Sequence, residues 1–307
     1  GCEINDDPFS PLCIACRDKV SKSGDKVEIA WLSREERYAE KLATPDIAVA
    51  DLIGEVDPIR VAEGKYLSDE LTIHFGLIPR TNRGIFAINE LPDLSERIQV
   101  SLFNLMEEKD IQIKGYKVRL PLDLVLVASA NPEDYTNRGR IITPLKDRYG
   151  AQIRTHYPNR SEDEMLIMEQ ELKAFLKYDA SVVVPQYMKE VIVEITNLAR
   201  RSGDINQRSG VSVRVSISNY ESIISNAYKR SLLTGEAKAV PRLSDLPAIL
   251  PTTMGKIELE SAEDGSEEKI LTDITRRAVL NVFERYFTMD ELEGVIESFQ
   301  EGVVVET

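Results

Sequence analysis

Two short apolar runs end in side chains able to do chemistry. GIFAINEL (Gly84 to Leu91) closes on Asn89 and Glu90, and LVLVASANPEDY (Leu124 to Tyr135) closes on Asn131. A carboxylate can take a proton, and two amides can hydrogen-bond a polar group without adding charge. The nearly unbroken apolar runs predict strands buried on both faces, as in a parallel sheet covered by helices. In open α/β sheets ligands sit at the carboxyl ends of the strands, so Asn89, Glu90 and Asn131 are expected at one edge. The plainer alternatives are a turn with a solvated Glu90 and an Asn-Pro turn at Asn131.

Cysteine offers a second chemistry. Cys2, Cys13 and Cys16, the last two spaced C-x-x-C, are the only ones. An odd count opposes a closed disulfide framework. A tetrahedral zinc site would need a fourth ligand from elsewhere, and the only histidines are His74 and His156. The cysteines are read as reduced structural thiols, and no residue is assigned to a metal.

The chain has 307 residues, enough for a sizeable core and two domains or one domain with an appendage. With 52 acidic against 38 basic residues and a net charge of -14, it is ill suited to non-specific binding of DNA, RNA or anionic membrane. No apolar stretch approaches the ~20 residues of a membrane helix. A soluble, cytoplasmic protein is expected, with neither nucleic acid nor membrane as partner.

Several elements position these residues. VEIAWL (Val27 to Leu32) alternates and predicts a strand. Thr44-Pro45-Asp46 opens a short helix stopped by Gly54. The segment from Glu55 to Arg83 is mixed and is expected to be an insertion with a small hairpin. Asp93 with Glu96 resembles a capping box ahead of Ile98, Leu102 and Leu105 at helical spacing. Ile111 and Ile113 facing Val118 and Leu120 around Lys114-Gly115 predict a hairpin. Ile141 to Tyr149 predicts a helical turn or two. From Pro158 the pattern is helical: Ser161 with Glu164 suggests another capping box, and three apolar stripes follow. These are Met165, Met168, Leu172 and Phe175; then Met188, Val191, Ile192, Ile195 and Leu198; then Ile217, Tyr220, Ile224 and Ala227. An acidic stretch from Glu258 to Glu268 predicts a linker, before Ile274, Ala278, Val282 and Phe283 resume the helical pattern.

The order of parts resembles an AAA+ ATPase, and more narrowly the clade of MoxR-type ATPases and the magnesium chelatase ATPase subunit. The parts are an acid-tipped strand, a helix, a hairpin, an Asn-tipped strand, Lys146-Asp147-Arg148-Tyr149, and a helical half with Arg214 in GVSVRV. The resemblance runs from about Val27 to Tyr228 and is strongest across RGIFAINELPDL, SANPE and PLKDRYG. It implies an α/β, P-loop NTPase-type parallel sheet over 1–157, incomplete at its N-terminus, an α-helical lid over 158–255, and an acidic linker and helical extension over 256–307. It also implies ATP and Mg2+ as cofactors. By the same resemblance Asn89 and Glu90 hold the Walker B places, with Glu90 the catalytic base. Asn89 keeps an oxygen but lacks the charge of the usual Asp. Asn131 matches sensor 1 and Arg148 an arginine finger reaching a neighbouring subunit; the alternative for Arg148 is an ion pair with Asp147 or another acid. Arg214 matches the sensor 2 arginine, with Arg208 as competitor.

Nothing in the chain reads G-x-x-x-x-G-K-[ST], the loop that cradles phosphates. Both ends look cut, and the loop is expected upstream of Gly1. The Lys114-Gly115 hairpin and the insertion around Leu71 to Pro79 resemble the extra hairpins of this clade, or are ordinary surface hairpins. The function implied is ATP hydrolysis in a homo-oligomeric ring, expected to be a hexamer, remodelling or activating a protein partner of von Willebrand factor A type. The alternatives are the magnesium chelatase ATPase subunit, which drives metal insertion into a porphyrin, and a non-hydrolysing AAA+ scaffold.

Overall fold

The computed structural model of the chain describes residues 2–57, 59, 72–112, 119–131, 139–175, 182–260, 266–288, 292–294 and 297–298. It divides into two compact units, Gly1–Ile153 and Arg154–Thr307.

Among its described residues the first unit holds seven strands: β1 Tyr38–Leu42, β2 Gly54–Val56, β3 Ile73–Phe75, β4 Ile85–Asn89, β5 Asp110–Gln112, β6 Arg119–Pro121 and β7 Val125–Ala128. Its helices are α1 Ile14–Ser23, α2 Val49–Leu52, α3 Leu77–Arg80, α4 Glu96–Ser101, α5 Phe103–Glu107 and α6 Thr143–Lys146. β1, β4 and β7 form a parallel sheet with β4 in the centre. Tyr38 lies opposite Ile85 and Ile85 opposite Val125, so the three strands run in step. Gly84 enters β4 where the chain before β1 passes close, and a Cβ there would collide with the Arg37 carbonyl oxygen.

Two sequence expectations fail here. Val27 to Leu32 is not a strand; the sheet is completed instead by Tyr38–Leu42. Trp31 is 92% exposed, and Ile29 and Leu32 are exposed as well. Strand formation depends on a pairing partner more than on intrinsic preference, and the less β-like YAEKL has that partner in β4. Nor are the strands buried on both faces. Phe86 and Ile88 enter the core, whereas Tyr38, Leu42, Ile85, Val125 and Val127 are exposed on the opposite face. Alternation decides this: neighbouring residues of a strand point to opposite sides, and among the described residues only one side is covered.

The small elements follow their local signals more closely. β2 and β3 pair antiparallel, as do β5 and β6, with Ile111 opposite Leu120. Lys114, Gly115 and Leu71 lie outside the described residues. The helix α4 starts after Ser95, which makes no side-chain cap, rather than after Asp93, which belongs to a 3-10 turn over Leu91–Asp93. The early helix starts later than Thr44-Pro45 implies, after Ala48.

The second unit contains α7 Ser161–Phe175, α8 Gln186–Arg201, α9 Val213–Thr234, α10 Leu250–Met254 and α11 Ser266–Tyr286. Met168, Met188, Ile192, Ile195, Tyr220 and Ile224 meet in one buried cluster, joined by Ile274, Ala278 and Val282 of α11. The described members of the three apolar stripes therefore point where their spacing directs them, and the Phe175 side chain lies outside the described residues. Burying these side chains contributes roughly 1.5–3 kcal/mol each. Among the described residues no helix is long and apolar enough to cross a membrane.

Candidate functional site

The carboxyl edge of the parallel sheet brings Asn89 and Glu90 against the end of β7. Glu90 adopts left-handed backbone angles, φ 57° and ψ 49°. A residue with a Cβ seldom takes that conformation, and it ends β4 sharply. The partner that steadies this corner is Ser129, the first residue after β7. Its Oγ accepts the Glu90 N–H at 3.2 Å and its hydroxyl donates to Asn89 Oδ1 at 3.4 Å. Its backbone N–H reaches the Ile88 carbonyl at 2.9 Å, and its carbonyl accepts the Leu91 N–H at 2.9 Å. Pairing between the two strands thus continues past both their ends. Asn131 follows two residues later and is exposed. Asn89, Glu90 and Ser129 place a carboxylate, an amide and a hydroxyl together at this corner.

Sequence reasoning misses Ser129. The available signal is the SANPE segment itself, with a small hydroxyl two residues ahead of Asn131; Pro132 and Glu133 lie outside the described residues.

Arg148 has local partners. Its Nε donates to Glu107 Oε2 at 2.9 Å and Nη1 to the Pro144 carbonyl at 2.7 Å, and the guanidinium lies 4.7 Å from the centre of the Phe103 ring. The plain ion-pair alternative is present, with Glu107 and not Asp147 as the acid. Beside it, Tyr149 is half-buried, and its hydroxyl is buried with no hydrogen-bond partner among the described residues. Burial pushes its phenol up to about 12.

In the second unit, Arg214 is the second residue of α9 and is exposed. Its backbone N–H is capped by Ser212 Oγ at 3.2 Å, and its guanidinium has no hydrogen bond or ion pair with the described residues. Arg208 is exposed too, in the preceding turn. A buried network holds the start of α9. Arg200 donates to Glu164 at 2.7 and 3.1 Å, and the Ser216 hydroxyl donates to the same carboxylate. Arg200 also donates to the Val211 carbonyl at 3.0 Å and stacks 4.3 Å from the centre of the Tyr157 ring. The Tyr157 hydroxyl accepts the Val211 N–H at 3.1 Å. Gly210, at φ +69°, lies so close that a Cβ would sit 2.6 Å from that hydroxyl oxygen. Glu164 is therefore a buried ion-pair partner and not half of a capping box. Spacing from Ser161 suggests a cap because both roles put a Glu in the first helical turn.

No protein-family model matches the chain. The chain is similar to magnesium-chelatase subunits. The magnesium-chelatase 38 kDa subunit of Cereibacter sphaeroides is 30% identical over 95 residues, which cover 30% of this chain and 27% of that protein. The magnesium-chelatase subunit ChlI homolog of Methanocaldococcus jannaschii is 26% identical over 172 residues, covering 55% and 43% respectively. The chain thus spans less than half the length of either of these relatives. Among solved structures, NtrX from Brucella abortus covers 81% of this chain and 50% of its own, with 17% identity and a TM-score of 0.46. The parallel sheet of the first unit and the helices of the second are consistent with a P-loop NTPase fold and a helical lid.

Proposed function

We propose that this chain forms part of an AAA+ ATPase that hydrolyses ATP in a homo-oligomeric ring, a hexamer, and uses turnover to remodel or activate a protein partner of von Willebrand factor A type. The observation that carries the reading is the Ser129 bridge, which fixes Asn89 and Glu90 at the carboxyl end of the central strand of a parallel sheet. That is where α/β sheets bind ligands.

The donor set fits the magnesium and water end of a nucleotide: all its groups are oxygen or amide donors, suited to a hard cation and to water. It does not supply the phosphate-cradling loop, which no segment of this chain encodes. Bound ATP with Mg2+ would supply the phosphoryl group to be transferred. Glu90 would accept a proton from an attacking water. Asn131 would hydrogen-bond the water or a terminal phosphate without adding like charge. Arg214, whose guanidinium has no partner among the described residues, would bridge phosphate oxygens. Arg148 would serve a neighbouring subunit only after leaving Glu107.

The sequence relatives favour the chelatase version of this reading, in which the partner is a porphyrin-binding subunit. Two observations favour a non-hydrolysing scaffold: Asn89 has no charge to hold a cation, and Arg148 is already paired. ATP turnover by the complete gene product, with and without Glu90→Gln, decides between motor and scaffold. The motor reading expects near-normal ATP binding and a loss of hydrolysis by orders of magnitude in the variant. Background rates in both proteins would establish the scaffold.

A further inference from the structure

The amino-terminal segment carries a cluster unrelated to the sheet edge. Among the described residues, the Sγ atoms of Cys2, Cys13 and Cys16 and a carboxylate oxygen of Asp6 all lie within 4.8 Å of one another. The three cysteines are free thiols. Cys2 Sγ and Cys13 Sγ are 3.7 Å apart, far beyond the roughly 2.05 Å of a disulfide. A zinc–sulfur bond of about 2.3 Å sets the edge of a tetrahedron at about 3.8 Å, the spacing these two sulfurs already have.

The surroundings hold the ligands in place before any ion arrives. Cys13 caps α1, and its sulfur accepts the Cys16 N–H at 3.3 Å, so C-x-x-C wraps the helix start with both sulfurs on one side. The Asp6 carboxylate accepts the backbone N–H groups of Asp7 at 2.9 Å, Leu12 at 2.8 Å and Cys13 at 2.8 Å. The Leu12 N–H is shared between the two oxygens, at 2.9 Å to Oδ1 and 2.8 Å to Oδ2, so three donors span about four lone-pair sites and giving up one half of that shared bond frees a site for an ion. Cys13 is buried and the others half-buried, against the core of the first unit.

We propose that Cys2, Cys13, Cys16 and Asp6 bind a single structural Zn2+ ion. Asp6 is the fourth ligand that the cysteine spacing left open. Three sulfurs select a soft or borderline cation over magnesium or calcium. Binding displaces the thiol protons of the three cysteines as Zn2+ binds, and four protein ligands leave no open coordination position for catalysis. The role follows from the contacts of the loop. Ile4 is buried and its carbonyl accepts Asn82 Nδ2 at 3.0 Å, while Asn5 Nδ2 donates to the Arg80 carbonyl at 2.9 Å. Asn82 Oδ1 in turn accepts the Asp123 N–H at 2.8 Å. These residues lead directly into β4 and β7, so the ion would clamp the starts of the two strands whose far ends carry Glu90 and Ser129.

The test is a Co2+ titration of the full chain, stripped of metal by chelator and kept reduced. The expected result is the intense visible ligand-field bands of tetrahedral Co2+ with thiolate charge-transfer absorption in the near ultraviolet, bleached by one equivalent of Zn2+. Cys13→Ser and Cys16→Ser should each weaken Zn2+ binding by about 100-fold or more, and Asp6→Asn by at least about tenfold with shifted Co2+ bands. The wild-type titration stands alone should a variant fail to fold. A reduced wild-type chain that shows no thiolate-bound Co2+ spectrum overturns the site. Zn2+ affinity unchanged in Cys13→Ser or in Asp6→Asn overturns the ligand set.

Discussion

Arg148 and Glu107 are held together by two guanidinium nitrogens on one carboxylate oxygen, with the Arg148 side chain 29% and the Glu107 side chain 59% exposed. Such a pair contributes at most about 1 kcal/mol to stability. Glu107→Gln is therefore expected to lower the unfolding free energy by less than about 1 kcal/mol in denaturant titration. If Arg148 also serves a neighbouring subunit, Arg148→Ala should cut turnover by roughly 10³-fold or more while ATP still binds. Mixing Arg148→Ala with Glu90→Gln subunits should then restore some activity at interfaces that keep one intact residue of each kind. No rescue in mixed assemblies would leave Arg148 as an ion-pair residue alone.

Glu90 and Asn89 should respond differently to substitution in the complete gene product. Glu90→Gln removes a group acting in the transition state and is expected to lower the rate by orders of magnitude with little change in ATP affinity. Asn89→Asp adds a charged oxygen ligand and is expected to lower the magnesium concentration needed for half-maximal activity. Magnesium titrations of ATPase rate for wild type and Asn89→Asp measure this. Superimposable curves would remove Asn89 from the cation's surroundings.

The Arg200 to Glu164 pair is of another kind, with side chains only 10% and 2% exposed. Removing one partner leaves the other charge buried, a change that costs about 3–5 kcal/mol. Arg200→Met should lower stability by that order in denaturant titration, with the slope of the transition unchanged. A cost under about 1 kcal/mol would mean that water reaches Glu164.

Tyr149 couples burial to pH. Its folded pKa is raised by burial to about 12, above the roughly 10 of an unfolded tyrosine. Its contribution is therefore fully present below pH of about 10 and is lost as pH rises through about 12. Tyr149→Phe should flatten the alkaline fall in stability over that window. At neutral pH it should leave stability equal or higher, because it removes a buried hydroxyl without a partner among the described residues. Thermal melts of both proteins across that range test the prediction; identical alkaline slopes would refute it.

Much of the second unit is legible in the order of its residues. Met188, Val191, Ile192 and Ile195 announce the buried face of α8 because helical neighbours lie three and four residues apart in the chain itself. The strand tip at Asn89 is legible for a similar reason, since an apolar run that stops abruptly marks a strand end, whereas β7 stops at Ala128, three residues short of the expected tip at Asn131. The β5 and β6 pairing is legible from local alternation around a turn.

What remains hidden depends on residues far apart in sequence. That Tyr38–Leu42 and not Val27–Leu32 completes the sheet is decided by which segment meets β4. Ser129 joins Glu90 across 39 positions, Arg148 meets Glu107 across 41, and Arg200 finds Glu164 across 36. Asp6 joins the cysteines through a loop closed by its own hydrogen bonds. The sequence by itself determined the helical faces, the strand tips and the residue types available for chemistry, because periodicity is a local property of the backbone. Only the tertiary structure decided which of those residues touch, because hydrogen bonds and ion pairs act over a few ångströms and distant segments reach that range only when the core is assembled.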